Sequence, residues 1–396
     1  MKNYSNLIFF LAVVFLSACK KENTGNIQLA QHCPPGFELT ADNKCLCRSL
    51  YHQYNSLNNA GVGGLQTGLP AVRDGFTPQQ IDLGRYLFFD PILSGNKKLS
   101  CASCHNPGKG FSDGQARSIG FNGQLLNRAA PTLWNVAFLN SFFWDARATT
   151  LEEQMKGPLY AENEMNNTEE KLLASLNAIP DYRELFMQAF PAKQKNEIQL
   201  NEIYTALAAF ESSLISLNSR YDLYAHGYHE ALKPNEIEGM NVFRSFVARC
   251  AECHTPPLFT NQQIAVLGTP EQDDLPFDAG AEKTFNDPSM RGGFKVPTLR
   301  NIAQTAPYMH SGKFASLQDV VTFYNSGRGH AVPENEKLSL HWHIWEPNLT
   351  QHEIERVVDF LKTLTDESFL PLTPESLPSG LSNVHENKTT TNTLIN

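Results

Sequence analysis

Apolar residues recur at helical spacing along much of the chain, and few stretches alternate strictly between apolar and polar. Ile203, Leu207, Phe210, Leu214, Leu217 and Tyr221 step by three or four residues and predict one amphipathic helix, packed near the junction of two domains. Pro78-x-x-Ile81-Asp82 and Pro234-x-x-Ile237-Glu238 each open a further predicted helix, proline being favoured in the first turn. Another helix is expected from Leu151 through Met155. The start of the chain follows a different pattern: Lys2, an apolar run from Leu7 to Leu16, then Ser17-Ala18-Cys19. A charged start, a short apolar core and small residues before a cleavage point predict a secretory signal over residues 1–18. No apolar run reaches the roughly 18 residues that a membrane span requires. Residues 376–396 are rich in Asn, Thr and Ser without periodicity and predict a disordered tail.

Composition narrows this picture. A length of 396 residues suits two domains of ordinary size, and 41% apolar with 18% charged residues supports substantial cores. A formal charge of −9 without a basic patch argues against nucleic-acid binding. Cys19, directly after the small residues, resembles a bacterial lipobox, which implies lipidation of its thiol and a tether to a membrane of the cell envelope, periplasmic or surface-exposed. Residues 19–75 then form an N-terminal tether in which Cys33, Cys45 and Cys47 predict a small loop closed by one disulfide, with one thiol left over and the pairing open.

The remaining cysteines carry the chemistry. Cys101-Ala102-Ser103-Cys104-His105 and Cys250-Ala251-Glu252-Cys253-His254 are both C-x-x-C-H, the attachment pattern of c-type haem. Two thiols three apart on one helical turn reach the two vinyl groups, and the next imidazole, His105 or His254, ligates the iron. A redox dithiol or a zinc site would not explain a histidine immediately after each pair.

An internal repeat surrounds these motifs. Pro131-Thr132-Leu133-Trp134-Asn135 recurs as Pro297-Thr298-Leu299-Arg300-Asn301, and Thr150-Leu151 and Ser316-Leu317 each follow 19 residues after their proline. The expected fold is mainly α: two cytochrome c-like helical domains in tandem, residues 76–230 and 231–375, each with one covalently attached haem. Overlaying the halves pairs Trp144 with His310, Phe143 with Met309, and Pro158 with Tyr324. Proline cannot ligate iron and a tyrosine phenolate can, so the halves predict one haem open on its distal face and one six-coordinate.

These residues resemble the bacterial di-haem cytochrome c peroxidases, including the MauG-type enzymes. The resemblance spans about residues 76 to 365. Its carriers are Leu87-Phe88-Phe89-Asp90-Pro91, both haem motifs, Ser118-Ile119-Gly120, Ala130-Pro131-Thr132-Leu133, Phe143-Trp144-Asp145-x-Arg147, Glu164-Met165, Lys295-Val296-Pro297-Thr298-Leu299-Arg300-Asn301 and Ala306-Pro307-Tyr308.

The resemblance implies an enzyme that reduces hydrogen peroxide to water with electrons from a small c-type cytochrome or cupredoxin, passed through the C-terminal haem to the N-terminal one. Glu164 then matches the distal acid, Gln154 a hydrogen-bonding residue of the distal pocket, and Trp144 the tryptophan between the haems. Tyr324 matches the distal ligand of the second haem in MauG-type enzymes, with Met309 and Met290 as rivals. Where many relatives carry a histidine that blocks the first iron, this chain has Phe121. The family's calcium would rest on the carbonyls of Thr305 and Pro307, although its usual asparagine is here Ala129. A MauG-like oxidation of a protein side chain and a non-catalytic di-haem carrier are the competing functions; a homodimer is admitted. His341-Trp342-His343-x-Trp345 has no counterpart in the repeat, and packing or exposure accounts for it better than a metal.

Overall fold

The computed structural model describes residues 27–48, 69–191, 197–327, 329–342 and 344–384. The expected signal at 1–18, Cys19, His343 and residues 385–396 of the expected tail lie outside the described residues. Regular structure is mainly helical. Ahead of the helices, β1 (Phe37–Leu39) and β2 (Cys45–Cys47) form a small antiparallel pair. The first half then carries α1 (Pro78–Phe89), α2 (Cys101–Cys104), α3 (Leu151–Tyr160), α4 (Glu169–Asn177), α5 (Pro180–Ala189) and α6 (Leu200–Ser212). The second carries α7 (Arg220–Ala225), α8 (Pro234–Phe243), α9 (Cys250–Cys253), α10 (Glu282–Phe285), α11 (Leu317–Ser326) and α12 (Gln351–Lys362), with β3 (Ile264–Val266) paired antiparallel to β4 (Gly293–Lys295).

Both halves are built on one plan. In α1, Pro78 occupies the first turn while Thr77 and Gln80 cap each other's backbone N–H groups. The helix crosses α6 so closely that a Cβ on Gly84 would lie 1.8 Å from the Ala206 carbonyl. In the second half α8 crosses α12, and a Cβ on Gly239 would lie 1.8 Å from the Arg356 carbonyl. Aromatic rings fill the space beside each crossing. Phe88 sits 5.0 Å from Phe210 and 6.2 Å from Phe111; Phe243 sits 5.3 Å from Phe360 and 6.1 Å from Phe259.

The Pro-Thr-Leu-x-Asn motif ties each half together. The Thr132 hydroxyl donates to the Gly110 carbonyl at 2.7 Å, and that of Thr298 donates to Leu258 at 2.6 Å. Asn135 and Asn301 take left-handed backbone angles (φ 63° and 58°), which asparagine tolerates. Their N–H groups reach the Leu214 and Leu364 carbonyls, just past α6 and α12. The halves meet across a pseudo-two-fold contact. Ala129 donates its N–H to the His310 carbonyl, and Lys295 donates its own to Trp144, each at 2.7 Å.

Four expectations need correction. The amphipathic helix stops at Ser212 instead of running to Tyr221, because the Ser213 N–H and hydroxyl both turn back onto the Phe210 carbonyl. Leu214 and Leu217 stay buried in an irregular segment where Asn135 and Asn301 both grip Ser216. That segment is the junction: α6 packs inside the first half, whereas Tyr221 and Ala225 join the core of the second, so the expected boundary at 230 falls late. Residues 376–384 of the expected tail are ordered. Leu377 is buried in the first core, and the Ser379 hydroxyl donates to Asp90, which also accepts from Tyr182 and Ile92. The tether is likewise partly built in: Leu29 is buried in the first core and the Ala30 N–H donates to Asp82. The loop disulfide joins Cys33 to Cys45, and burial pushes the leftover Cys47 thiol up to about 11.

Because backbone lies opposite both crossing glycines, Gly84→Ala and Gly239→Ala should each cost ~1–3 kcal/mol through forced helix separation. Urea unfolding of the holoprotein checks this; midpoints equal to wild type would show that the crossings are not tight.

Candidate active site

Each C-x-x-C-H segment makes one short helical turn, with the histidine N–H closing onto the first cysteine's carbonyl at 2.9 Å. His105 Nδ1 lies 3.0 Å from the Phe111 carbonyl; His254 Nδ1 lies 3.1 Å from Phe259 and 3.2 Å from Pro297. A carbonyl only accepts, so Nδ1 carries the proton and Nε2 keeps its lone pair for a metal. Phe111 and Phe259 aim those carbonyls from left-handed backbone angles (φ 58° and 57°). Burial lowers the basicity of both rings, His254 to about 4, which keeps them neutral as iron ligation requires. Cys101, Cys104, Cys250 and Cys253 are free thiols, pushed upward first by burial. Two free thiols on one turn, followed by a neutral imidazole with an open Nε2, fit covalent haem at both positions.

A cavity of about 660 Å³ opens against the first motif and is lined by Cys101, Cys104, His105, Trp144, Gln154 and Glu164 among others. Glu164 sits on a turn clamped from two sides. The Gly95 N–H donates to Met165 and the Phe121 N–H to Asn163, and a Cβ on Gly95 or Gly120 would lie 2.0 Å from a carbonyl of that turn. Burial raises the Glu164 carboxyl above its ordinary range, against the opposing charge of Arg147. Gln154 projects from the first turn of α3, which Thr150 caps. Pro158, the counterpart of Tyr324, lines the same cavity. Phe121 instead lines a separate surface groove with Glu162, Asn163 and Asn166.

Trp144 occupies the wall facing the second half. Its indole N–H donates to Ala129 at 2.9 Å, and its ring meets His310 edge-on at 6.4 Å. His310 stacks on Phe294 at 3.7 Å and pairs through Nε2 with Glu271 at 2.8 Å. The residues that the repeat overlays, Trp144 and His310, are therefore neighbours across the pseudo-axis. In the second half, Tyr324 lies on α11, and burial first pushes its phenol well above its usual range, with the Cys253 and Cys250 thiols adding to the shift. Met309 takes a left-handed turn (φ 70°) like Phe143 (φ 66°), and Met290 ends a short 3₁₀ turn. Thr305 follows another such turn and Pro307 is joined by a cis peptide bond; Ala129 carries no side-chain oxygen.

Sequence reading passed over three residues of the cavity wall. Lys295 is buried, donates from Nζ to the Ser141 carbonyl at 2.5 Å, and is lowered by burial to about 8. Arg147 lies over the Phe143 ring at 3.4 Å. Glu211, in the last turn of α6, buries its carboxyl group. A charge inside an otherwise apolar helical stripe was the available signal for Glu211; Arg147 and Lys295 had appeared only as parts of longer motifs. Arg128 fastens the halves together at this wall: its guanidinium binds both oxygens of Asp278 (2.6 and 2.9 Å) and one of Asp145 (2.7 Å).

The geometry can be set beside known proteins. A family profile described as di-haem cytochrome c peroxidase matches residues 78–230. The chain is 36% identical over 294 residues to the methylamine utilization protein MauG of Methylorubrum extorquens, covering 74% of this chain and 79% of that protein. It is 35% identical over 326 residues to the cytochrome c551 peroxidase of Nitrosomonas europaea, covering 80% and 91%. Among solved structures, a MauG-like protein associated with microbial copper homeostasis superposes with a TM-score of 0.70 at 32% identity, covering 77% of this chain and 95% of that one. The diheme peroxidase BthA of Burkholderia thailandensis gives 0.64 at 27%, covering 78% and 91%.

For Asp278, burial disfavours ionisation, but the hydrogen bonds and charge of Arg128 outweigh it and hold its carboxyl below the usual 3.8. A carboxylate lowered in the folded state stabilises above its unfolded value and loses that contribution as pH falls through the folded one. Arg128→Met should therefore cost ~1–3 kcal/mol at neutral pH, with the difference from wild type shrinking below about pH 4. Urea unfolding across that range measures it; a pH-independent difference would contradict the pairing.

Proposed function

The chain belongs to the di-haem cytochrome c peroxidase family, and from that premise we propose that it reduces hydrogen peroxide at the first haem with electrons from a small c-type cytochrome or cupredoxin entering at the second. It is an oxidoreductase acting on peroxide, and the family implies two c-type haems. The observation that carries the finer reading is convergence: Glu164, Gln154 and Trp144 line one cavity with Cys101, Cys104 and His105. When bound, the haem at His105 supplies an iron to hold peroxide and accept electrons. His105 would hold it through Nε2, since its Nδ1 proton is engaged by Phe111. Glu164 would take a proton from peroxide and return it to the departing oxygen, while Gln154 would orient the substrate by hydrogen bonding. Trp144 and His310, in edge-to-face contact, bridge the halves for the electron.

Phe121 lies in an outer groove and carries no ligating atom, which supports a first iron that needs no reductive activation. Tyr324 carries a ligating oxygen where the first half has Pro158, which supports phenolate ligation of the second haem. These two features also favour a second reading, in which peroxide drives oxidation of a protein side chain through the second haem. Calcium on the Thr305 and Pro307 carbonyls is retained only as an accessory of either reading. The Cys33–Cys45 disulfide supports an oxidising compartment outside the cytoplasm, in keeping with the lipid tether expected at Cys19.

The ferric enzyme, never reduced beforehand, should consume peroxide at once when given reduced cytochrome c. A requirement for prior reduction would contradict the reading of Phe121. Build-up of a long-lived oxidised species without turnover would favour protein oxidation instead. Glu164→Gln should slow turnover by ~10²–10⁴. Glu164 must be ionised to accept a proton, and burial raises its pKa, so wild-type activity should fall with acidity from a higher pH than an ordinary glutamate would set.

A further inference from the structure

We propose that Glu211 is a redox-linked proton acceptor of the first haem cavity, binding a proton from solvent as an electron arrives at the haem held there. The inference deepens the proposed function but needs only haem in that cavity, whether or not peroxide is the substrate. Glu211 lies in the last turn of α6, is 5% exposed and lines the cavity beside Leu207, Leu151 and Met155. Its Oε2 has no hydrogen-bond partner among the described residues. A carboxylate so placed is costly, and one without a partner is held toward its neutral form.

The charged and titratable groups around it are few. From α3 comes Glu152, and from the segment before α1 comes Arg73, whose guanidinium binds both oxygens of Glu152. Lys156 of α3 lies instead over the Tyr204 ring, nearer the start of α6. Asp82 and Arg85 of α1 pair with each other, and the 3₁₀ turn Val136–Phe138 brings no charge. On the cavity side the neighbour is Cys101, which would anchor the haem through a thioether and would not ligate its iron. Glu152 and Arg73 are each about a third exposed, at 28% and 33%. They form a charged doorway from water to Glu211.

Burial first, then the Glu152 charge, pushes the Glu211 carboxyl up to about 8, against Arg73. Its two protonation states therefore exchange around pH 8, and there one added negative charge nearby tips the balance toward the acid. The step balances simply: the external donor supplies one electron to the haem, water supplies one proton, and the Glu211 carboxylate becomes a carboxylic acid. No bond to the chain is broken. Glu164 sits on a different wall, on the turn after α3, and is left free for the proton transfers to oxygen.

The test is spectroelectrochemical titration of the holoprotein between about pH 6 and about pH 9, each haem followed by its own absorption. In wild type the potential of the first haem should fall as pH rises. In Glu211→Gln that dependence should be lost while the second haem is unchanged. Glu152→Gln should move the dependence to lower pH, because the charge that raises Glu211 is gone. The reduced-minus-oxidised infrared difference spectrum should show a protonated-carboxyl band in wild type that is absent in Glu211→Gln. If that variant does not fold, Glu211→Asp should keep the pH dependence and shift the band. A pH-independent first haem, a dependence that survives in Glu211→Gln, or a band that Glu211→Asp leaves in place would overturn the proposal. A pH-linked potential in a protein that fails to turn over peroxide would leave it standing and reject only the peroxidase reading.

Discussion

The hold of backbone carbonyls on the Nδ1–H of the motif histidine, in each half from a loop phenylalanine, decides what the surrounding structure is for. It fixes the tautomer, turns Nε2 toward the iron position and requires a loop bent through a left-handed phenylalanine. That loop is held in turn by the threonine of Pro-Thr-Leu-x-Asn, whose hydroxyl takes the carbonyl just before the phenylalanine. The asparagine of the same motif ties it to the end of the last helix. Each half is thus one chain of constraints, from helix crossing to aromatic cluster to imidazole.

What duplication preserved is the scaffold; what it changed is what the scaffold presents. Arg300, wholly buried and paired with Asp222, stands where the first half has Trp134. Tyr324 stands where the first half has Pro158, and only the former carries an atom able to ligate iron. Trp144 and His310 share one position in the repeat and meet at the pseudo-axis, held by matching backbone hydrogen bonds. Equivalent backbones with unlike side chains are how one fold can hold two haems in different states.

Much of this was legible in the sequence, for identifiable reasons. The haem motifs and the repeated Pro-Thr-Leu-x-Asn are local patterns whose spacing is their chemistry, and the overlay of Trp144 on His310 follows from counting. The end of the helix at Ser212 was not legible, because Leu214 and Leu217 keep the apolar spacing while Asn135 and Asn301 draw their backbone away. The order of residues 376–384 was also hidden, since it depends on Asp90 collecting a serine hydroxyl from 289 residues away. Glu211 and the Arg128 pairs are long-range as well: only the fold brings a cavity to one and Asp278 to the other.

The proposed function needs two similar frameworks to hold unlike irons, the first open and the second six-coordinate. Electron paramagnetic resonance of the ferric holoprotein, as isolated, tests it most directly. One high-spin and one low-spin signal in equal amounts is the predicted result. Two low-spin signals would contradict it.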